Sequence, residues 1–404
     1  MKSAEETGLA PAILLDVNMQ ALKIIRSLGR RGIPVIGVVS VSGRWEQSSR
    51  YCSIRKTALL KACNSQLVDY LVRLAGEFDE KPVLIPMQDD TVLFVSKFRD
   101  ELQEHFCFLM PDPDILEALV SKSGLETLAG QYDVPQPKSY APGSLGELEE
   151  LAGGIVYPAV IKPAFSTSWQ NREAQKVVNG KVCLVQSREE LLGAYPRLAE
   201  FDERLVIQEV IPGPDRNLIY YVGYFDQDSQ PVASFVGVKE RVAPVHFGSA
   251  SFVSSRYDAN LIRLCIRFME QIGYRGHVGI EFKYDDRDGQ YKLIEVNARF
   301  GLWDGMAGLC DIDFPYINYE ISRGHDVVAP GTFDDGVKWI CFVRDLYAYR
   351  SYRRENALGT FDWLRSLSAG KRDYAVFALD DPRPFIGSTA EFLARHLRVR
   401  KTRG

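Results

Sequence analysis

The nonapeptide LIEVNARFG, residues Leu293–Gly301, begins as an apolar strand and then carries polar side chains at every second position. Strand side chains alternate between the two faces of a sheet, so Glu295, Asn297 and Arg299 are expected to point the same way. The pattern therefore predicts one surface that carries a carboxylate, an amide and a guanidinium.

The strand before this one, in HVGIEFKYDDRDGQ, supplies a second carboxylate. If Asp285 faces Tyr291 across the hairpin, then Glu281 faces Glu295. Like charges opposed on neighbouring strands destabilise a sheet, so stability alone explains the pair poorly. Two carboxylates and an amide oxygen are hard ligands suited to Mg²⁺, and Arg299 could then bind phosphate or carboxylate. A solvated sheet face on which Arg299 neutralises Glu295 is the alternative.

Bulk composition bounds the kind of protein. The 404 residues exceed one ordinary core, so two or three domains are expected. Lys and Arg minus Asp and Glu is 49 − 53 = −4, which gives no electrostatic reason to expect nucleic acid as a partner. Seven scattered cysteines without a CxxC pair indicate reduced thiols in a cytoplasmic protein. No apolar run is long enough for a membrane span, and the N-terminus does not resemble a signal peptide.

The N-terminal third reads as a parallel α/β unit. Apolar periodicity predicts strands at 12–15, 34–39 and 106–110, a helix at 21–28 ended by Gly32, and a strand-to-helix unit at 83–98. No GxGxxG loop follows the first strand, so a dinucleotide site of the usual kind is unsupported. The sequence MQDD at 87–90 either faces a ligand at the sheet edge or caps a helix.

The remaining chain alternates helices and strands. The predicted elements are a helix pair at 113–131, strands in YPAVIKPA and LVIQEVIPGPD, a strand and helix in KVCLVQSREELLGAYPRL, paired strands in NLIYYVGYFDQDSQPVASFVGVKERV, a helix at 258–272, and the strand GVKWICFV.

Five motifs in this part together resemble the ATP-grasp superfamily. In chain order they are SKSGLETLAGQYDVPQP, YPAVIKPA, LVIQEVIPGPD, GIEFKYD and LIEVNARFG, which span roughly residues 112–310. The finer resemblance is to the carboxylate–amine ligases that include D-aspartate ligase-like enzymes. The resemblance implies a mixed α/β and α+β chain. It divides into an N-terminal parallel α/β domain (1–112), an ATP-grasp domain (113–326) with a mobile central subdomain at about 155–212, and a small C-terminal α+β appendage (327–404).

The resemblance also implies a set of nucleotide-binding residues. The matched positions are Lys122 and Lys162 for the phosphates, Gln208, Glu209, Val210 and Ile211 for the adenine, and Asp215 for the ribose hydroxyls. Two of them have plain alternatives: Lys162 could be a surface lysine, and Asp215 could be a turn aspartate. The same resemblance implies Mg²⁺, with Mn²⁺ as an alternative, held by Glu281, Glu295 and Asn297, and a phosphate-binding role for Arg299.

Two departures from the family pattern stand out. The flap expected at 165–175 follows the central-strand lysine, but its sequence, AFSTSWQNREAQKVV, contains no glycine. Gln208 replaces a more usual acidic residue, and its amide can still accept from the adenine amino group.

Substrate residues are sought in VKERVAPVHFGSASFVSS and GLWDGMAGLCD. Of Lys239 and Arg241, we favour Arg241 as a cation for the γ-phosphate or acyl-phosphate, with a basic strand end as the alternative. His246 is a candidate general base or a structural histidine. Trp303 and Asp304 are candidates for contacting an amine or an aromatic group, or else a core tryptophan at a helix start.

The function implied is ATP-dependent ligation. A carboxylate substrate, such as an amino acid, would form an acyl-phosphate that an amine then attacks, giving an amide, ADP and phosphate. A kinase that stops at phosphoryl transfer, or a nucleotide-binding protein without turnover, remains open. The partners expected are small molecules, neither nucleic acid nor membrane, and a homodimer is left open.

Overall fold

The computed structural model describes residues 8–163, 182–202, 204–368 and 370–401, with side chains described up to residue 394. The strands are β1 Ala12–Leu15, β2 Val35–Val39, β3 Ser53–Lys56, β4 Val83–Pro86, β5 Ser139–Tyr140, β6 Ala159–Pro163, β7 Cys183–Val185, β8 Leu205–Glu209, β9 Leu218–Phe225, β10 Pro231–Ala243, β11 Ser249–Ser255, β12 Gly276–Asp285, β13 Gln290–Asn297, β14 Lys338–Ile340 and β15 Arg372–Tyr374.

The α-helices are α1 Ala21–Arg30, α2 Ser65–Ala75, α3 Asp89–Lys97, α4 Arg99–His105, α5 Pro113–Val120, α6 Lys122–Gln131, α7 Leu145–Leu151, α8 Arg188–Ala199, α9 Ala259–Gln271, α10 Phe314–Ser322, α11 Phe342–Arg354, α12 Thr360–Ser368 and α13 Arg383–Lys401. Short 3₁₀ helices include Asp215–Asn217 and Asp304–Cys310. Among the described helices, none is long and apolar enough to cross a membrane.

The N-terminal sheet is parallel, in the order β3-β2-β1-β4, as the βαβ pattern predicts. The predicted strand at 106–110 is wrong: only Cys107 pairs, through a single bridge to Val83. The N–H of Cys107 donates to Pro82 O, and its carbonyl accepts from Leu84 N. In a parallel ladder the next donor on β4 would be residue 86, which is a proline without an N–H, so the ladder stops.

A second sheet, in the order β5-β8-β6-β7, is antiparallel; β6, β7 and β8 fall within residues 155–212, whereas β5 precedes them. It has its own apolar core under α7 and α8, formed by side chains such as Leu148, Ile161, Leu191 and Ile207. The strand β6 carries Lys162, and β8 carries Gln208 and Glu209.

The largest sheet has seven strands in the order β13-β12-β9-β10-β11-β14-β15. One face packs against α5, α6 and α9, with Tyr221, Ile280 and Val296 pointing into that core. The opposite face carries Tyr220, Val222 and Phe235, which belong to a core shared with β1 and α1. Strands β14 and β15, from the predicted C-terminal appendage, extend this same sheet.

The hairpin of β12 and β13 contains a β-bulge. Glu281 pairs with Glu295 as predicted, but Asp285 pairs with Gln290 and not with Tyr291. The register shifts between Glu281 and Phe282, which leaves Ile294 as the extra residue. The bulge therefore turns Leu293 into the core beside Phe282, while Glu295 stays on the opposite face.

The C-terminal segment is anchored to helix α1. The buried guanidinium of Arg26 donates from Nε to Asp381 Oδ2 at 3.0 Å. Arg30 donates twice to Asp380, at 2.8 Å each, and Lys23 pairs with Asp373 on β15. These pairs place residues 373–381 against the N-terminal sheet domain.

Candidate active site

The sheet brings two carboxylates and a lysine together on one face. Glu281 is in register with Glu295 on one side and with Tyr220 on the other. Lys239, from β10, forms an ion pair with Glu281, and its Nζ lies 5.7 Å from the centroid of the Tyr220 ring. We call this surface, defined by Tyr220, Lys239, Glu281 and Glu295, the carboxylate face.

Asn297 extends the carboxylate face by one strand position. Its Nδ2 donates to Glu295 Oε1 at 3.1 Å, so its amide oxygen is left as the ligand atom. Within the described ranges, no three His, Cys, Asp and Glu side chains gather as a metal site. The candidate ligand set is therefore two carboxylates and one amide oxygen, a composition typical of Mg²⁺ and not of zinc.

Lys162 faces this surface from the central sheet. Its Nζ donates to Gln208 Oε1 at 2.7 Å, so the lysine and the predicted hinge amide interact directly. Burial lowers the pKa of Lys162 to about 8, although the charges of Glu295 and Glu126 oppose this effect. Because the lysine is buried, the surface-lysine alternative does not describe it.

Lys122 begins helix α6 and contacts the same strand. Its Nζ donates to the carbonyl of Pro163, the residue after Lys162. The two predicted phosphate lysines therefore lie at the same end of β6. The flap expected at 165–175 lies outside the described residues.

The predicted adenine segment after β8 is held by internal hydrogen bonds. Glu209 Oε1 accepts from Lys138 N at 3.0 Å, and its other oxygen lies 3.4 Å from Arg287. The N–H of Val210 donates to Pro158 O at 3.0 Å, and the Ile211 side chain is buried. The protein itself thus engages the Glu209 carboxylate and the Val210 N–H.

Asp215 is buried beneath the C-terminal helix α11. Its Oδ2 accepts from the hydroxyl of Tyr352 and, at 3.0 Å, from His246 N. Its Oδ1 is buried without a hydrogen bond among the described residues, 3.5 Å from His246 Nδ1. This arrangement is more specific than the turn aspartate that local sequence alone would suggest.

His246 lies in the loop between β10 and β11 and has a φ of +72°. Its side chain is 54% exposed, with Nε2 3.3 Å from Glu355 Oε2. The imidazole thus lies between two carboxylates, those of Asp215 and Glu355, rather than on the carboxylate face.

Contrary to the expectation from sequence, Arg241 does not join the carboxylate face. A register shift in β10 pairs Lys239 with Val253 and Arg241 with Phe252, which are adjacent residues on β11 and so point to opposite faces. The Arg241 guanidinium is buried and donates twice to Asp345 of α11, at 2.7 and 2.9 Å. It anchors the C-terminal helices, and Lys239 is the cation at the site.

Arg299 connects the site to the N-terminal sheet. Its Nε donates to Asp89 Oδ1 at 2.6 Å, and Asp89 is the first residue of α3, just after β4. The pair is half-buried, and the charge of Asp89 raises the pKa of Arg299 against the opposing effect of burial. The MQDD segment therefore serves both expectations: Gln88 caps α3, and Asp89 faces the site.

Trp303 and Asp304 are buried and do not line an open pocket. Trp303 packs edge-on against Tyr220, with ring centroids 5.2 Å apart. Asp304 is 1% exposed; it accepts from Gly301 N and lies 3.1 Å from His277 Nε2. Trp303 is therefore a core tryptophan, the alternative expected from sequence. Asp304 holds the loop that follows Arg299.

The chain is similar to several known proteins. The family model described as carbamoyl-phosphate synthase L chain, ATP binding domain, matches residues 239–309. A D-aspartate ligase from Enterococcus faecium (strain Aus0004) is 28% identical over 320 residues, which cover 74% of this chain and 73% of that relative.

Two solved structures share the fold. The L-amino acid ligase from Bacillus licheniformis has a TM-score of 0.59 at 16% identity, covering 78% of this chain and 74% of that one. The biotin carboxylase domain dimer of Hydrogenobacter thermophilus 2-oxoglutarate carboxylase, in complex with MgADP, has a TM-score of 0.62 at 14% identity, covering 78% and 70%. These comparisons make the chain similar to ATP-grasp enzymes, among them a carboxylate–amine ligase.

The residues present fit the nucleotide and metal that an ATP-grasp domain takes. Glu281 and Glu295 face each other on one side of the sheet, and two opposed carboxylates beside an amide oxygen suit a divalent cation. One buried oxygen of Asp215 has no donor among the described residues, which suits a hydroxyl group. The donor set and this orphaned acceptor are therefore consistent with a divalent cation and a ribose.

Three residues of this candidate site were missed or ranked low from sequence. Lys239 was named but not favoured, because the bulge in β10 has no sequence signal. Asp89 lies about two hundred residues before Arg299, and its pairing could be found only through the fold. Tyr220 lies in an aromatic strand, LIYYVGYF, where the periodicity alone assigns it to a core.

Proposed function

We propose that this protein is an ATP-dependent ligase that joins a carboxylate to an amine through an acyl-phosphate, releasing ADP and phosphate. The observation that carries the proposal is the direct opposition of Glu281 and Glu295 on one face, with Lys239 paired to Glu281 and Lys162 close to Glu295. Two opposed carboxylates destabilise a sheet, but they can hold the metal ion that assists phosphoryl transfer.

Glu281, Glu295 and the amide oxygen of Asn297 are the residues that would hold Mg²⁺, and Mn²⁺ stays an alternative. A divalent cation bound there would draw charge from the nucleotide phosphates and favour transfer of the terminal one. The MgADP in the Hydrogenobacter domain supports the choice of Mg²⁺.

The cations around the carboxylate face have separate tasks. Lys162, at the end of β6, would bind a phosphate, whose charge favours the protonated lysine that burial disfavours. Arg299, oriented by Asp89, would hold the oxygens of the substrate acid or of the transferred group bidentately. Most of the rate enhancement would then come from positioning and from fixed charges, because two anions must be brought together.

The acid substrate is proposed to be an amino acid or a similar compound. The relatives named D-aspartate ligase and L-amino acid ligase support this class, while the acid and amine used by this chain are left to experiment. The dimer named for the Hydrogenobacter domain supports a homodimer here, which light scattering would test.

The direct experiment is ADP release with Mg²⁺ and ATP across amino acids, singly and in pairs. A ligase forms little ADP with the acid alone and much more when the amine is added. If the acid alone gave as much ADP as the acid and amine together, a kinase would be favoured. No ADP with any combination, together with nucleotide binding, would favour a nucleotide-binding protein without turnover.

A further inference from the structure

Tyr220 lies at the centre of the carboxylate face and has no role assigned in the proposed ligation. It is on β9, in register with Glu281 of β12 and with Gly237 of β10. Its side chain is only 5% exposed. It is therefore a buried polar group on the strand between the one that carries Lys239 and those that carry the candidate metal ligands.

The position of the Tyr220 hydroxyl follows from Gly279. A Cβ atom added at Gly279 would lie 1.7 Å from the hydroxyl oxygen, so the hydroxyl occupies the space above that glycine. Gly279 is in register with Asn297. Because opposed Cβ positions in an antiparallel sheet are about 5 Å apart, the hydroxyl lies about that far from the Asn297 Cβ.

The ring of Tyr220 is fixed in this direction. Trp303 packs edge-on against it, and a Cβ at Gly237 would lie 2.5 Å from the Trp303 ring, so the two rings are closely packed. The hydroxyl is thus aimed along the carboxylate face toward Asn297 and the segment that carries Arg299.

The hydroxyl has no hydrogen-bond partner among the described residues, which sets it apart from neighbouring buried tyrosines. Those neighbours are Tyr221 bonded to Ser234 at 2.9 Å, Tyr224 to Asn318 at 3.4 Å, and Tyr274 to the His277 carbonyl at 2.7 Å. An unpaired hydroxyl aimed into a candidate active site suits a ligand atom.

The chemistry of the missing partner is that of an acceptor. A phenol keeps its proton at neutral pH, so the Tyr220 hydroxyl can donate. Arg299 follows Asn297 by two residues, at the end of β13 toward which the hydroxyl points. A ligand oxygen that attracts both a phenol proton and a guanidinium is an anionic one.

We infer that the Tyr220 hydroxyl donates a hydrogen bond to an oxyanion oxygen of a ligand that Arg299 also holds. The inference rests on the proposed function for the existence of such a ligand. The oxygen belongs either to the terminal phosphate of ATP or to the carboxylate of the acid substrate, and the experiment separates these sources.

The test compares Tyr220→Phe with wild type and with Tyr224→Phe, using the full chain. Tyr224 lies on the same strand and the same face, but its hydroxyl has a partner in Asn318. Calorimetry with Mg²⁺ measures binding of a non-hydrolysable ATP analogue and of ADP, and thermal unfolding checks that the phenylalanine ring still packs against Trp303.

If the oxygen is on the terminal phosphate, Tyr220→Phe weakens the ATP analogue about tenfold or more and leaves ADP unchanged, as expected for a bond to a charged group. If it is on the carboxylate, both nucleotides bind normally, and the KM of the acid that drives ADP release in wild type rises by a similar factor. Tyr224→Phe changes neither quantity.

A Tyr220→Phe variant within twofold of wild type in analogue affinity and in the KM of the acid overturns the inference, while wild-type turnover leaves the proposed function standing. If wild type releases no ADP with any acid, the proposed function fails instead. Analogue binding alone then decides, and unchanged affinity in Tyr220→Phe overturns the inference.

Discussion

Glu281 and Glu295 face each other directly across the β12–β13 hairpin, one residue from a β-bulge. In a sheet without a ligand this arrangement costs free energy, because opposed like charges repel. Lys239 offsets part of the repulsion through its ion pair with Glu281.

Glu295→Gln should not destabilise the metal-free protein. Removing one of two opposed charges should leave the free energy of unfolding unchanged or raise it by up to about 1 kcal/mol. The variant should also lose the stabilisation that MgADP gives to wild type. Thermal unfolding in EDTA and in MgADP measures both effects, with Glu270→Gln on the exposed surface of α9 as the control. A large loss of stability in EDTA would mean that Glu295 has a structural role.

Arg241→Met should destabilise the protein and spare nucleotide affinity. The variant leaves the Asp345 carboxylate, which is fully buried, without its charged partner. Breaking a buried ion pair in this way typically costs about 3–5 kcal/mol. Chemical denaturation measures the loss, and calorimetry measures ADP binding below the transition. A stable variant that had lost ADP affinity would restore Arg241 to the phosphate site.

Nucleotide affinity should fall as the pH rises above about 8, the pKa of Lys162 in the free protein. A bound phosphate favours the charged lysine, so binding requires the proton, and the affinity falls at most about tenfold per pH unit above that value. Lys162→Met should bind more weakly and lack this part of the pH dependence. Lys56→Met, on an exposed edge strand, should keep it. Equal slopes in wild type and Lys162→Met would exclude the lysine from the phosphate site.

Asp89→Asn should lower kcat/KM for the acid about tenfold without changing ADP affinity. The variant removes the carboxylate that orients Arg299. At metal sites, loss of a residue that orients a ligand commonly lowers metal affinity or activity by about 10–100-fold, and we expect an effect of similar size here. The neighbouring Asp90→Asn, whose carboxylate accepts from Thr91 N, is the control. If both variants equal wild type in steady-state kinetics, the Asp89–Arg299 pair is structural.

The strand pattern of the sheet could be predicted from sequence because its residues alternate with a period of two. The opposition of Glu281 and Glu295 was predicted correctly from a wrong turn register, and the bulge at Ile294 compensated for that one-residue error. A second bulge, in β10, puts Lys239 and Arg241 on opposite faces, so the favoured cation, Arg241, points away from the site. Bulges follow from backbone geometry and packing, which have no local sequence signal here.

Long-range partners were the other part that the sequence could not supply. Asp215 is bonded by Tyr352, and Arg299 by Asp89, across separations of 137 and 210 residues. Motif spacing identifies Asp215 and Arg299 but says nothing of the side chains that the fold brings against them. The strand predicted wrongly at 106–110 has the same cause, because the proline that ends its hydrogen-bond ladder lies on β4, far away in sequence.

The central claim is that Glu295 and Glu281 hold the metal that makes phosphoryl transfer possible. Its most direct test is ADP release by wild type and by Glu295→Gln, at saturating ATP and Mg²⁺, with the amino-acid pair that wild type uses best. We expect ADP from wild type only when both substrates are present, and none above background from a folded Glu295→Gln variant. Turnover by that variant at the wild-type rate would contradict it.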